Sequence, residues 1–283
     1  MNKLKQVAKS SLLAIALLVI ASNYGCKKEK DLSDMEDFQS TSQDIGQVES
    51  IGSDVDNMTS QIARTGTFDQ SNPSDANHDQ FNFLSCATVT HDSINHVITY
   101  DFHSGCTGAD GKVRAGKVIV NYTGTGHFDP GSSWVVTFDS FYVNTRHVEG
   151  TRSVVNNGFN TDNNMNWTIT ATNMRITRAD GTWRTWNSVR NREMVAGYGD
   201  TDWQNDDYLI NGTADGTNSN GDAVNCVLTD LRREHDCHWI TSGTLQITPG
   251  SRPVRTIDFG SGTCDDQATV TKNGVSRTIT LRP

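Results

Sequence analysis

The 283-residue sequence lacks the short motifs that identify several common enzyme classes. It contains no GxSxG nucleophile elbow and no HExxH zinc motif. None of its six cysteines is spaced as CxxC, which argues against a zinc ribbon or a thioredoxin-like redox site. No segment after residue 65 has the pattern of a long helix, so Rossmann folds and barrels of alternating strands and helices are excluded. We therefore predict no catalytic residue, no resident metal and no cofactor.

Positive charge is also scarce. The chain has 24 Lys and Arg against 33 Asp and Glu, a formal net charge of −9. Proteins that bind nucleic acid need clustered Lys and Arg, because their affinity comes largely from releasing the counterions of the phosphate backbone. Nucleic acid is therefore excluded as a partner.

Long apolar runs are absent apart from one near the start. Residues 12 to 21 read LLAIALLVIA, three lysines precede them, and Gly25 is followed by Cys26. A basic start, about ten apolar residues and a small residue are typical of a secretory signal peptide, here residues 1–25. The apolar run is too short to span a bilayer as a helix. The cysteine at its end resembles a bacterial lipoprotein signal, so we predict that Cys26 carries the lipid. An ordinary secreted protein is the alternative.

The next part of the chain changes its pattern three times. Residues 26–33 are a polar tether, residues 34–64 have an apolar residue every three or four positions, and residues 65–80 are rich in turn formers. The spacing in residues 34–64 predicts an amphipathic helix that packs on the rest of the protein, or alternatively a coiled-coil dimer. The apolar residues of this stripe are Met35, Phe38, Ile45, Val48, Ile51, Val55, Met58 and Ile62.

Residues 81–283 have β character throughout. In NWTITATNM, Trp167, Ile169 and Ala171 alternate with threonines, which is typical of a strand with one buried face. Asn-Gly and Asp-Gly pairs separate such segments and favour hairpins. The predicted fold is all-β: a large antiparallel curved sheet or β-sandwich of about a dozen strands, with the amphipathic helix packed on it.

One short stretch occurs twice in this β region. TYDFHSGC covers residues 99–106 and TIDFGSGTC covers residues 256–264. Asp101 and Asp258 follow strand-like residues and precede a Ser-Gly turn, where a short carboxylate can accept backbone N–H bonds. We predict that both aspartates cap turns. A metal-binding Asp-Phe-Gly motif at Asp258 is the alternative, but the other kinase motifs are missing.

The same stretches organise the cysteines. Each copy begins after one cysteine and ends at another, so the layout predicts the bridges Cys86–Cys106 and Cys237–Cys264. In this layout Cys226 belongs to neither bridge. Disulfides agree with an exported protein, although the number of cysteines leaves other pairings open.

Metal binding has one candidate segment. The run DTDWQNDD supplies several carboxylates from one loop, as calcium prefers, but it lacks the glycine and closing glutamate of an EF-hand, and a solvated loop is the alternative. His235 and His238 are three residues apart in a strand-like context, which places them on opposite sides and argues against a metal. The candidate calcium residues are Asp200, Asp202, Asp206 and Asp207.

Glycan contact also has one candidate segment. Trp183 and Trp186 lie among Asn and Arg residues in TWRTWNSVRNR, and an aromatic ring can stack on a sugar. Packing of both rings in the core is the alternative. A pair of catalytic carboxylates for glycan hydrolysis cannot be recognised from spacing.

Three stretches resemble a known group of proteins: TYDFHSGCTGADGKVRAGKVIVNYTG, FYVNTRHVEGTRSVVNNG and TIDFGSGTCDDQATVTKNG. They are similar to uncharacterised envelope lipoproteins of Bacteroidota, from about residue 80 to the end. The resemblance implies an antiparallel β domain behind a helix, anchored by lipid to the outer membrane, facing the cell surface or the periplasm. It implies no activity. We therefore expect a non-catalytic binding or structural component, with a glycan or an envelope protein as partner; a glycan-binding or glycan-processing surface lipoprotein is the alternative.

Overall fold

The structure is a computed structural model that describes residues 86–108, 111–124, 126–199, 205–234, 236–237, 239–250 and 252–281. The predicted signal peptide, the lipidated Cys26, the tether, the helix over residues 34–64 and the loop over residues 65–80 lie outside these ranges. Within them, no helix has the length and hydropathy needed to cross a membrane.

The described residues form fourteen β-strands. The first seven are β1 (Thr88–Asp92), β2 (Val97–Asp101), β3 (Cys106–Thr107), β4 (Val113–Thr123), β5 (Ser133–Val143), β6 (Arg146–Phe159) and β7 (Met165–Thr177). The other seven are β8 (Trp183–Ala196), β9 (Asp207–Asn218), β10 (Ala223–Glu234), β11 (Ser242–Pro249), β12 (Arg255–Ser261), β13 (Gln267–Lys272) and β14 (Val275–Thr280).

All fourteen strands belong to one open antiparallel sheet. The strand order is β1-β2-β4-β5-β6-β7-β8-β9-β10-β11-β12-β13-β14, and β3 pairs with β4 beside this path. Consecutive strands are therefore neighbours, as short hairpin connections require. The prediction of an all-β fold is confirmed, and of the two arrangements expected from the sequence, the single sheet is the one observed.

Burial alternates along the strands and defines an inner face. On β7, Trp167, Ile169 and Ala171 are 0%, 3% and 2% exposed, as their alternation with threonine predicts. The cross-strand partners Tyr100 and Val118 on β2 and β4 are both fully buried on the same side. On the opposite, outer face Val189 is 53% exposed. The apolar core of the described residues thus lies on one side of the sheet.

A double irregularity interrupts the first half of the sheet at β6 and β7. Gly150 has φ +116°, and opposite it Asn173 has φ 50°. A Cβ on Gly150 would lie 2.6 Å from Cα of Met174, so only glycine allows the two strands to approach this closely. Asn187 on β8 accepts the N–H of Asn173 at 2.8 Å through Oδ1, which satisfies the donor that the bulge removes from the ladder.

The second half of the sheet repeats this arrangement at β10 and β11. Gly243 has φ +96° and lies opposite Asp230, whose φ is 49°. A Cβ on Gly243 would lie 2.2 Å from the carbonyl oxygen of Asp230. Asn211 on β9 accepts the N–H of Asp230 at 2.8 Å. The same combination of glycine, left-handed residue and asparagine side chain therefore shapes both halves of the sheet.

Candidate functional site

Two cysteine bridges close the two corners that the sequence repeats. Cys86 is bonded to Cys106 and Cys237 to Cys264, and the Cα atoms of each pair are 5.7 Å apart. Each bridge joins the residue before a strand hairpin to the turn after that hairpin, so each closes a corner of the sheet. Cys226 belongs to neither bridge and is 7% exposed.

The repeated aspartates cap the turns of these corners, as the sequence predicts. Asp101 accepts the N–H of His103 at 2.8 Å, and Asp258 accepts the N–H of Gly260 at 2.9 Å. Lys117 lies 3.3 Å from the second oxygen of Asp101. The backbone hydrogen bond from His103 lowers the pKa of Asp101 below its ordinary value, and Lys117 lowers it further, because both favour the carboxylate.

The first corner also brings together three side chains in the order of a hydrolase triad. Thr88 Oγ1 lies 2.8 Å from His103 Nε2, and His103 Nδ1 lies 3.6 Å from Asp101 Oδ1. A working triad needs a hydrogen bond between base and carboxylate, and 3.6 Å exceeds that distance. The side chain of His103 is 57% exposed, and Asp101 Oδ1 already accepts a backbone N–H. The geometry therefore indicates turn stabilisation.

The candidate calcium residues that the structure describes have protein partners. Asp206 and Asp207 are 2% and 5% exposed. Asp206 accepts a hydrogen bond from the hydroxyl of Tyr208 at 2.9 Å, and Asp207 forms an ion pair with Arg232. Asp200 and Asp202 lie outside the described residues, as do His235 and His238. Within the part of the chain that is described, no group of three or more His, Cys, Asp or Glu is placed to hold a metal.

The two candidate glycan-contact tryptophans lie in different environments on β8. Trp186 is 8% exposed, which agrees with packing in the core and leaves little of its ring for a ligand. Trp183 is partly exposed, and the guanidinium of Arg175 lies 4.7 Å from its ring centroid. Sugar contact at Trp183 remains a prediction.

A larger aromatic cluster occupies one end of the sheet, which we call the loop end. It carries the β4–β5, β6–β7 and β8–β9 connections, because alternate hairpins of an antiparallel meander share an end. Here the rings of His127 and Trp167 stack with centroids 4.8 Å apart, and Trp134 lies 5.4 Å from His127. The Trp167 indole and the Asn156 amide both donate to the carbonyl of His127, at 3.2 and 2.7 Å. The cluster is therefore buried and hydrogen bonded.

Three further aromatic residues extend this cluster to the surface and form what we call the aromatic rim: Phe128, Phe159 and Tyr198. Tyr198 and Phe159 are 47% and 45% exposed, and their ring centroids are 4.9 Å apart at an angle of 86°. Phe128 lies 5.8 Å from Tyr198 and 6.1 Å from the buried Trp167. Sequence reasoning missed the rim because its members are far apart in the chain, and only strand pairing brings them together. Phe128 and Tyr198 lie on two connections, and Phe159 is the last residue of β6.

Arginines interrupt the apolar inner face. Arg192 on β8 lies over the rings of Trp167 and Tyr208, with its guanidinium carbon 5.4 and 5.0 Å from their centroids. The alternation of apolar and polar residues along the strands did not predict that arginines would lie on this face. Three other inner-face arginines are buried: Arg114, Arg152 and Arg255.

Comparison with known proteins found no matching family model, no matching curated protein and no matching solved structure.

Proposed function

We propose that the protein is a lipid-anchored component of the cell envelope, held at the outer membrane, that binds a partner or supports envelope structure without catalysis. The observation that carries this proposal is the use of the repeated Asp-Phe corners: both aspartates cap turns, and both corners are closed by cysteine bridges. Two bridges suit an oxidising compartment outside the cytosol. The signal pattern of residues 1–25 and Cys26 supports the anchor.

Replacing Cys26 with Ala tests the anchor. Without the thiol no lipid can be attached, so we expect the protein to move from the membrane fraction to the soluble fraction of fractionated cells. Lys28→Ala, two residues further on, keeps the lipidation site and should remain with the membrane. If Cys26→Ala stays with the membrane, the lipid anchor is wrong.

We also propose that the predicted amphipathic helix over residues 34–64 supplies a second layer over the inner face. Domains bury a sheet face against another layer, and all strands of the described residues belong to one sheet. The helix segment has seven acidic residues and one basic residue, Arg64. Acidic side chains beside the stripe would bring opposite charge to a face that carries Arg114, Arg152 and Arg255.

A polar substitution in the apolar stripe tests this cover. Val55→Asp places a charge in the stripe, so we expect it to lower the free energy of unfolding by about 2 kcal/mol and to speed amide hydrogen exchange in the central strands. Asn57→Asp adds the same charge off the stripe and should change little. Equal stability of both variants would contradict the cover, and dissociation of a dimer by Val55→Asp would support the coiled-coil alternative.

Glycan binding is the second candidate function, and the aromatic rim is the observation that favours it. Phe159, the last residue of β6, and Tyr198, on the β8–β9 connection, expose aromatic surface at the loop end. Large exposed apolar side chains grouped in this way mark interaction sites more often than isolated ones do. A glycan-processing activity would need a pair of carboxylates beside the sugar.

A further inference from the structure

We propose that the aromatic rim is a binding site for the pyranose rings of a neutral polysaccharide. This inference rests on the proposed binding role and names its ligand class and residues. The apolar C–H face of a pyranose packs well on an aromatic ring, while its hydroxyl groups remain available to water and to polar side chains. Phe128, Phe159 and Tyr198 present such rings together at the loop end.

The rim is supported from below, as a binding platform requires. Phe128 contacts the rings of both His127 and Trp167, and these two residues are 4% and 0% exposed. The indole of Trp167 is fixed by its hydrogen bond to the His127 carbonyl. A ring that is already held in place loses little conformational entropy when a ligand binds, so this support favours affinity.

Ordered polar groups stand directly beside the rim. The β6–β7 turn follows Phe159, and in it Asn160 Oδ1 accepts the N–H groups of Asp162 and Asn164 at 3.0 and 2.9 Å. The amide of Asn164 in turn donates to Glu193 at 2.7 Å. Amide and carboxylate groups of this kind form the hydrogen bonds that orient sugar hydroxyls in binding sites. The turn is therefore an ordered polar neighbour of the apolar platform.

The charges near the rim select a neutral ligand. The described residues of the three loop-end connections include the exposed acids Asp129 and Asp162 and contain no Lys or Arg. Uronic acids and sulfated sugars would meet like charge there, whereas a neutral sugar would not. Neutral polysaccharide is thus the better match.

The position of the rim favours a polysaccharide over a lipid bilayer. Cys86 stands just before β1, the first strand of the described residues, and the β2–β4 connection that holds Cys106 lies at that same end. Because successive hairpins alternate between the two ends, the rim lies at the end opposite Cys86. The predicted lipid anchor precedes β1 in the chain, and the rim lies at the end of the sheet opposite the start of β1.

Native affinity electrophoresis of the mature chain tests this inference, with gels that contain laminarin, yeast mannan, xylan or polygalacturonate. We expect at least one of the three neutral polymers to retard the wild-type protein. Tyr198→Ala and Phe159→Ala should each weaken that interaction about tenfold, since each removes one stacking ring. Tyr198→Phe and Phe159→Tyr keep the rings and should retain binding, which separates ring contact from misfolding.

Two control variants locate the effect. Val189→Ala changes a residue that is 53% exposed on the outer face and should bind like the wild type. Trp183→Ala should also leave binding unchanged, and a loss there with full binding by Tyr198→Ala would overturn the rim as the site. Retardation by polygalacturonate alone, or by no polymer, would overturn the inference too.

Three further outcomes distinguish a failure of this inference from a failure of the proposed function. If rim variants reduce co-sedimentation of the Cys26→Ala protein with phosphatidylcholine and phosphatidylglycerol vesicles, the rim is a membrane contact and the inference fails. If the wild type fractionates with membranes but binds none of the polymers, the inference fails and the anchor stands. Release of reducing sugar from a bound polymer would support the site and contradict the non-catalytic role.

Discussion

The two Asp-Phe corners share most of their sequence and a hydrogen bond from the N–H two residues on to the aspartate, but β2 ends at Asp101, β12 continues past Asp258 to Ser261, and the surroundings differ. In both, an aspartate caps the turn and a cysteine bridge closes the corner. Phe102 of the first corner is fully buried and lies 5.8 Å from the ring of Phe141, whereas Phe259 of the second corner is only partly buried. The shared residues therefore define the turn, and the core contact belongs to one corner alone.

This difference indicates how each corner is held. The N–H of Phe102 donates to the carbonyl of Gly116 on β4 at 2.9 Å, so backbone and side chain both tie the first corner to the sheet. The second corner has its own backbone tie, from the N–H of Gly262 to the carbonyl of Thr241 at 2.9 Å, so what it lacks is the apolar packing beneath its phenylalanine, which is only partly buried. A repeated sequence can thus serve one turn geometry while the two copies contribute unequally to stability.

Replacing each of the two phenylalanines with alanine should give the largest difference in stability between the corners. Phe102→Ala removes a fully buried ring, so we expect it to lower the free energy of unfolding by about 3–5 kcal/mol. Phe259→Ala removes a partly exposed ring and should cost about 1 kcal/mol. The measurement is guanidinium unfolding of the oxidised proteins, with both bridges intact.

Phe102→Leu and Phe259→Leu serve as the matched controls, since they keep most of the apolar volume. Each should recover a large part of the loss caused by its alanine variant. Equal losses for Phe102→Ala and Phe259→Ala would show that the corners contribute alike, and would remove the distinction between them.

The corners could be predicted from the sequence because the residues that form them are close together in the chain. The Asp-Phe and Ser-Gly residues follow one another directly, and the turn-capping hydrogen bonds reach only two residues along the chain. The inner face could be predicted in the same way. Apolar residues at every second position, as in Trp167, Ile169 and Ala171, indicate that one side of the strand is buried.

The aromatic rim could not be predicted from the sequence, because its three residues are distant from one another in the chain. Phe128, Phe159 and Tyr198 each lie in a polar segment where one aromatic residue carries no signal. Their proximity depends on the register of β4 to β9, which no short pattern specifies. The glycan prediction consequently fell on Trp183 and Trp186, where two tryptophans are close in sequence, although Trp186 is 8% exposed.

The smallest expected difference between the corners comes from the charge on Asp101. Its pKa is lowered in the folded protein, so its stabilising effect is fully present above the ordinary pKa of an unfolded Asp, about 3.9, and is lost as the pH falls through the lower folded value. Asp101→Asn keeps an oxygen that can cap the turn but removes the ion pair with Lys117. We expect this variant to be slightly less stable than the wild type at pH 7.

The difference in melting temperature between Asp101→Asn and the wild type should shrink as the pH is lowered below about 4, because the wild-type carboxylate then also becomes neutral. Lys117→Met should reduce the effect of Asp101→Asn at pH 7, since the partner cation is gone. Asp258→Asn is the matched variant of the other corner, where the described part of the chain contains no ion pair of Asp258, and its effect at pH 7 should be smaller. A larger effect at Asp258 would mean that turn capping alone does not account for the repeated aspartate, and would reopen a chemical role for the second corner.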